Sequence, residues 1–152
     1  MKYYLKKRNM KLQDIIQQAK KQGLCEEWYN EMLSSPTLET LCRMFFKGDD
    51  WALKNNFPSE KMLHYFRGET EQYGLFLDAS GKVETMPKMA FFGYSNVELN
   101  YGDFSVSSLI LRGNSKGKIK AKDNAIIFVT MLDNAEVVVE EQDHAKVKIF
   151  RR

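Results

Sequence analysis

From residue 94 onward the chain can be written in tens without a single insertion, and its columns then align. The fifth place holds Ser95, Ser105, Ser115, Ala125, Ala135 and Ala145, all small. The ninth holds Leu99, Leu109, Ile119, Val129, Val139 and Ile149, all aliphatic. The seventh holds Val97, Ser107, Gly117, Ile127, Val137 and Val147, aliphatic in four of six. Between the runs stand Asp103-Phe104, Gly113-Asn114, Asp123-Asn124, Asp133-Asn134 and Asp143-His144, mostly residues that tolerate a left-handed backbone. A fixed period of this kind calls for a repeat architecture.

Parity separates hairpins from a coil. If each Asp-Asn were a two-residue hairpin turn, odd columns in one strand would lie beside even columns in the next. The aliphatic columns would then alternate between the two faces of a sheet, which no one-sided core can use. An odd-length hairpin loop also preserves the face, so parity favours a coil that always turns in one sense without proving it. The reading is a β-solenoid.

Ten residues are too few to enclose a packed interior, so two decades per coil are expected, giving a flattened coil of about twenty residues. Alternate decades then share a side. The outward columns on one side are Asn96, Glu98, Asn100, then Lys116, Lys118, Lys120, then Glu136, Val138, Glu140. Lys116 over Glu136 and Lys120 over Glu140 are favourable cross-strand pairs. The other side carries Val106, Ser108, Ile110, then Ile126, Phe128, Thr130, then Lys146, Lys148, Phe150. That side needs a cover, which is either the helical half folding back or another molecule. Val106, Ile110, Ile126, Phe128 and Phe150 are therefore the candidate interaction surface. At the end of the repeat, Arg151 and Arg152 read as charged gatekeepers of an open strand edge, against end-to-end pairing as the alternative.

Upstream, residues 11–68 read as four or five short helices. Leu12, Ile15, Ile16 and Ala19 share one helical face, with Gly23 as the stop. Ser35-Pro36 suits an N-cap and first helical residue, Asp49 or Asp50 suits a cap, and Pro58-Ser59-Glu60 opens a further helix. Helices this short must bury their apolar sides to persist. Trp28, Phe45, Phe46, Trp51, Phe57 and Phe66 read as a core rather than a ligand pocket, since no polar groups converge on them. A first strand is expected at residues 74–78, with a turn over Ala79 to Lys82.

The fold class is α+β: a helical domain at 1–70, a connecting strand and turn at 71–93, and a flattened parallel β-solenoid of about three 20-residue coils at 94–152. A charged content of 28% with 43% hydrophobic residues is that of a globular chain, and the mild net charge of +3 makes no strong case for a nucleic-acid partner. No apolar run reaches membrane length and no signal peptide is evident, which points to the cytoplasm. Cys25 and Cys42 form no CxxC and are expected as small buried hydrophobes. The N-terminal arm interleaves Lys2, Lys6, Lys7, Arg8 and Lys11 with Tyr3 and Tyr4, a composition able to contact phosphates and stack on bases.

The Asp-Asn-Ala runs at Asp123 to Val129 and Asp133 to Val139, each continuing into alternating aliphatics, resemble decapeptide-repeat β-solenoid segments. With the upstream GLCEEWYNEML and NNFPSEK, the chain from about residue 11 to its last residue resembles an uncharacterised family of gut-bacterial and phage or mobile-element proteins. That resemblance implies a helical region, a solenoid and no known activity. In fold alone the tail is similar to the self-assembling bactofilins.

No P-loop, GxGxxG, HExxH, GxSxG or EF-hand loop is present. Asp123, Asp133 and Asp143 come one per turn without the glycines of calcium-binding rolls, so they read as turn formers. Glu140-Glu141 reads as a solvated turn rather than an acid/base pair. The expectation is a non-enzymatic module without cofactor or metal, acting through a protein partner or a homo-oligomer on the solenoid. The second expectation is a mobile-element regulatory or host-interaction protein that binds nucleic acid or a nucleotide through the basic arm.

Overall fold

The computed structural model describes residues 10–152. The chain forms two compact units that divide between Tyr73 and Gly74. The first unit contains α1 (Leu12–Lys21), α2 (Glu26–Ser34), α3 (Leu38–Lys47), α4 (Asp49–Lys54), α5 (Glu60–Tyr65) and a short 3-10 turn at Glu71–Tyr73. Ile15, Ile16 and Ala19 of α1 are buried with Met32, Met44 and Phe57, and Trp28, Trp51 and Phe66 pack around them. Trp51 and Phe57 meet edge to face at 5.6 Å, and Phe45 and Phe46 do so at 5.1 Å. The aromatic set is thus a core.

The helix ends follow from local hydrogen bonding. The Asp14 carboxylate accepts the Lys11 N–H at 2.8 Å, and Gly23 stops α1 at φ +94. The α3 cap is Thr37, whose hydroxyl accepts the Thr40 N–H at 3.1 Å, rather than Ser35 followed by Pro36. Ser35 lies further out and meets the same Thr40 through its hydroxyl at 3.0 Å. Asp49 and Asp50 lie in the first turn of α4 after Gly48, and Ser59 caps α5 by accepting the Met62 N–H at 3.2 Å. An added Cβ at Gly48 would meet the Trp28 ring at 2.6 Å, so glycine is what lets that ring lie on the backbone. Cys42 is buried, which pushes its thiol up to about 12. Cys25 departs from expectation: it is exposed, because it precedes α2 as the N-cap rather than facing inward.

The second unit is a parallel β-solenoid of nine strands. They are β1 (Leu75–Leu77), β2 (Ser80–Lys82), β3 (Lys88–Phe92), β4 (Asn96–Tyr101), β5 (Val106–Leu111), β6 (Lys116–Ala121), β7 (Ile126–Met131), β8 (Glu136–Glu141) and β9 (Lys146–Arg151). Odd strands make one sheet in the order β1-β3-β5-β7-β9, and even strands make the other, β2-β4-β6-β8. Every pair is parallel, as a coil of constant sense requires and a hairpin series forbids. Val106 lies beside Ile126 and Lys116 beside Glu136, so two decades complete a coil.

The solenoid begins before the regular repeat does. Leu75 pairs with Ala90 and Ser80 with Asn96, shorter steps than the later ones. Residues 80–82, expected in a turn, are β2, and the coils number about four rather than three. Odd-numbered residues face inward from β4 onward: Val97, Leu99, Leu109, Ile119, Ile127 and Val129 are at most 2% exposed. Each such aliphatic side chain contributes roughly 1.5–3 kcal/mol on burial.

The corners explain the recurrent aspartates. Asp103, Asp123, Asp133 and Asp143 all have φ between 51 and 58. Each turn is closed by a bond from the fifth-column residue, as in Ala135 N–H to Leu132 carbonyl at 3.1 Å. The carboxylate of each later aspartate accepts an N–H one coil earlier. Asp123 takes that of Asp103 at 2.8 Å, Asp143 that of Asp123 at 3.0 Å, and Asp133 that of Gly113 at 2.9 Å. At Gly113, with φ 70, a side chain would sit 3.0 Å from the Gly93 backbone, so that corner requires glycine.

Candidate protein-interaction face

The outward residues of the two sheets differ in kind. On the four-stranded sheet, charges interlock. Lys116 pairs with Glu136 at 3.8 Å, as the register predicts. Lys120 lies beside Glu140 in register but reaches diagonally to Glu98 at 3.2 Å, and Lys82 approaches the same carboxylate at 3.9 Å. The hydrogen bond from Lys120 outweighs desolvation and, with the charges of Lys120, Lys82 and Lys118, holds Glu98 below the usual carboxylate range. Lys120 thus reaches the more sheltered carboxylate: the Glu98 side chain is 23% exposed, whereas Glu140 is exposed on the outer strand of its sheet.

The five-stranded sheet exposes apolar side chains outside. Val106 is 63% exposed, Phe128 37% and Phe150 52%, while Ile126 is half-buried. Register joins them: Val106 lies beside Ile126, Ser108 beside Phe128, and Thr130 beside Phe150. Ile110, expected on the same surface, is only 4% exposed and does not contribute to an open patch. The corner residue Phe104 was not singled out by its column, yet at 79% it is the most exposed large apolar side chain here. Its signal was an aromatic residue standing where the four later turns carry Asn or His.

The outermost coil carries a cap made of inward-pointing charges. Odd positions 141 and 151, where earlier coils hold Tyr101, Leu111, Ala121 and Met131, are Glu141 and Arg151. Lys146 donates back to Ala125 at 2.9 Å, so the next amide, Val147, points off the open edge; Glu141 accepts it at 2.7 Å. Arg151 donates to the Asp133 carbonyl at 3.1 Å and to the Ala135 carbonyl. One coil earlier the equivalent carbonyls, Gly113 and Ser115, accept backbone N–H groups from Asn134 and Glu136. Arg151 therefore takes the acceptors that, one coil earlier, backbone amides take. Glu140 and Glu141 lie in β8 rather than in a turn, and alternation points them to opposite sides. Between Glu141 and Arg151, Ile149 is 46% exposed on β9, the outer strand of its sheet.

Of the basic arm, Lys2, Lys6, Lys7 and Arg8 lie outside the described residues, and Lys11 is an exposed residue at the start of α1. Among the described residues, no group of three or more His, Cys, Asp or Glu could hold a metal ion. Among them, too, no helix is long and apolar enough to cross a membrane. The chain matches no protein-family model, no curated protein and no solved structure.

Proposed function

We propose that the protein is a non-enzymatic interaction module whose solenoid offers the outward face of its five-stranded sheet to a protein partner. One observation carries this reading: Phe104, Val106, Phe128 and Phe150 are solvent-exposed on neighbouring strands and one corner of a single sheet. Contiguous exposed apolar groups mark contact surfaces. The hydroxyl-bearing outward residues of this face, Ser108 and Thr130, have no histidine or carboxylate beside them on the strands, which supports binding rather than catalysis. Polymerisation of the bactofilin kind is the less favoured version, because Glu141 and Arg151 blunt the open end.

A photo-crosslinking residue at position 128, introduced into the full chain in its native cells, tests the reading. The expected result is a discrete adduct from position 128 and none from position 118 on the opposite sheet. An adduct of twice the chain mass would shift the reading to self-assembly, and equal labelling from both positions would overturn it.

A further inference from the structure

We infer that the partner brings an apolar segment flanked by carboxylates, an inference that rests on the platform reading above. The charges of the solenoid are sorted between its sheets. Every charged outward residue of the five-stranded sheet is a lysine: Lys88, Lys146 and Lys148. The strand glutamates stand elsewhere, with Glu98, Glu136 and Glu140 outward on the other sheet and Glu141 inward. Lys116 and Lys120 on that other sheet are paired with glutamates, whereas among the described residues Lys88, Lys146 and Lys148 enter no ion pair.

Register sets these cations around the apolar groups. Lys148 lies beside Phe128 and Lys146 beside Ile126; on the other flank, Lys88 lies beside Ser108, which lies beside Phe128. At about 4.8 Å per strand, Lys88 and Lys148 stand roughly 14 Å apart across the sheet. That span admits one helix, about 10 Å across, resting on Val106, Ile126 and Phe128 with one carboxylate toward Lys88 and another toward Lys146 and Lys148.

Other occupants fit less well. A second copy meeting this face with its own would set lysine against lysine, and on the opposite sheet of a second copy Glu98 and Glu136 are already paired, which leaves Glu140 alone to meet three lysines. Single-stranded nucleic acid would use the lysines and phenylalanines but gain no stacking from Val106 or Ile126.

Selection of displayed random peptides on the full chain tests the inference. The expected clones combine aromatic or aliphatic residues with net negative charge. Their binding should fall about tenfold with Phe128→Ser and again with Lys146→Glu/Lys148→Glu, the far-UV spectrum being unchanged. Raising salt should weaken them as well. Clones that need Phe128 but are neutral or basic would overturn the charge inference and leave the platform reading standing. Clones indifferent to both variants would overturn both. Tighter binding of an oligo-dT or of phosphatidylserine vesicles through the same residues would replace the protein partner.

Discussion

The Asp143 carboxylate accepts the backbone N–H of Asp123, one coil earlier, at 3.0 Å, while the Asp123 carboxylate does the same for Asp103 at 2.8 Å. One residue type thus meets two demands: a left-handed backbone and an acceptor for the turn below. Asp123→Gly keeps the backbone and loses the acceptor, an expected cost of about 1 kcal/mol. Asp123→Ala loses both and is expected to cost roughly 1–2 kcal/mol more. Urea unfolding separates them, and equal midpoints would count against the left-handed requirement.

Asp133 gives a pH signature. Desolvation pushes its carboxyl up, but the Gly113 N–H and the Arg112 guanidinium, 3.1 Å away, prevail and hold it below its ordinary value. A depressed carboxyl stabilises the fold above its unfolded pKa, near about 4, and that contribution is lost as pH falls through the lower folded value. The stability gap between the wild type and Asp133→Asn is therefore expected in full at neutral pH and should close in acid. A gap independent of pH would contradict this.

Glu141 and Arg151 are expected to keep the outer coil from pairing with other strands. Glu141→Val/Arg151→Val restores an apolar inward column and uncovers the Val147 N–H and the Asp133 and Ala135 carbonyls. Sedimentation velocity should show the double variant associating at concentrations where the wild type does not. Identical sedimentation would remove the capping role.

What the sequence disclosed and what it hid have physical causes. Columns 97, 99, 107 and 109 could be assigned inward because a one-residue slip moves every side chain to the other face. The first coil stayed hidden because its strands pair with steps shorter than twenty, as Leu75 with Ala90, so it falls out of column. Thr37 displaced Ser35 as a cap because both hydroxyls lie near Thr40 and only one accepts its N–H. The sorting of lysines was visible in the columns, but its meaning needed the other sheet, where Lys120 turned out to serve Glu98.

Tyr101 is an inward residue 3% exposed, with a hydroxyl that bonds to no protein atom among the described residues, and burial pushes its ionisation well above the ordinary value. Removing that hydroxyl costs the fold nothing and relieves a desolvated polar group. Tyr101→Phe is expected to raise stability by about 1 kcal/mol, read as a higher thermal midpoint.

The central claim is that the five-stranded sheet carries the contact surface. Hydroxyl-radical footprinting of the full chain, purified and in native extract, tests it most directly. The account predicts that Phe128 and Phe150 are protected in extract while Tyr94, 75% exposed at a corner, labels equally in both. Equal labelling of all three residues in both conditions would contradict it.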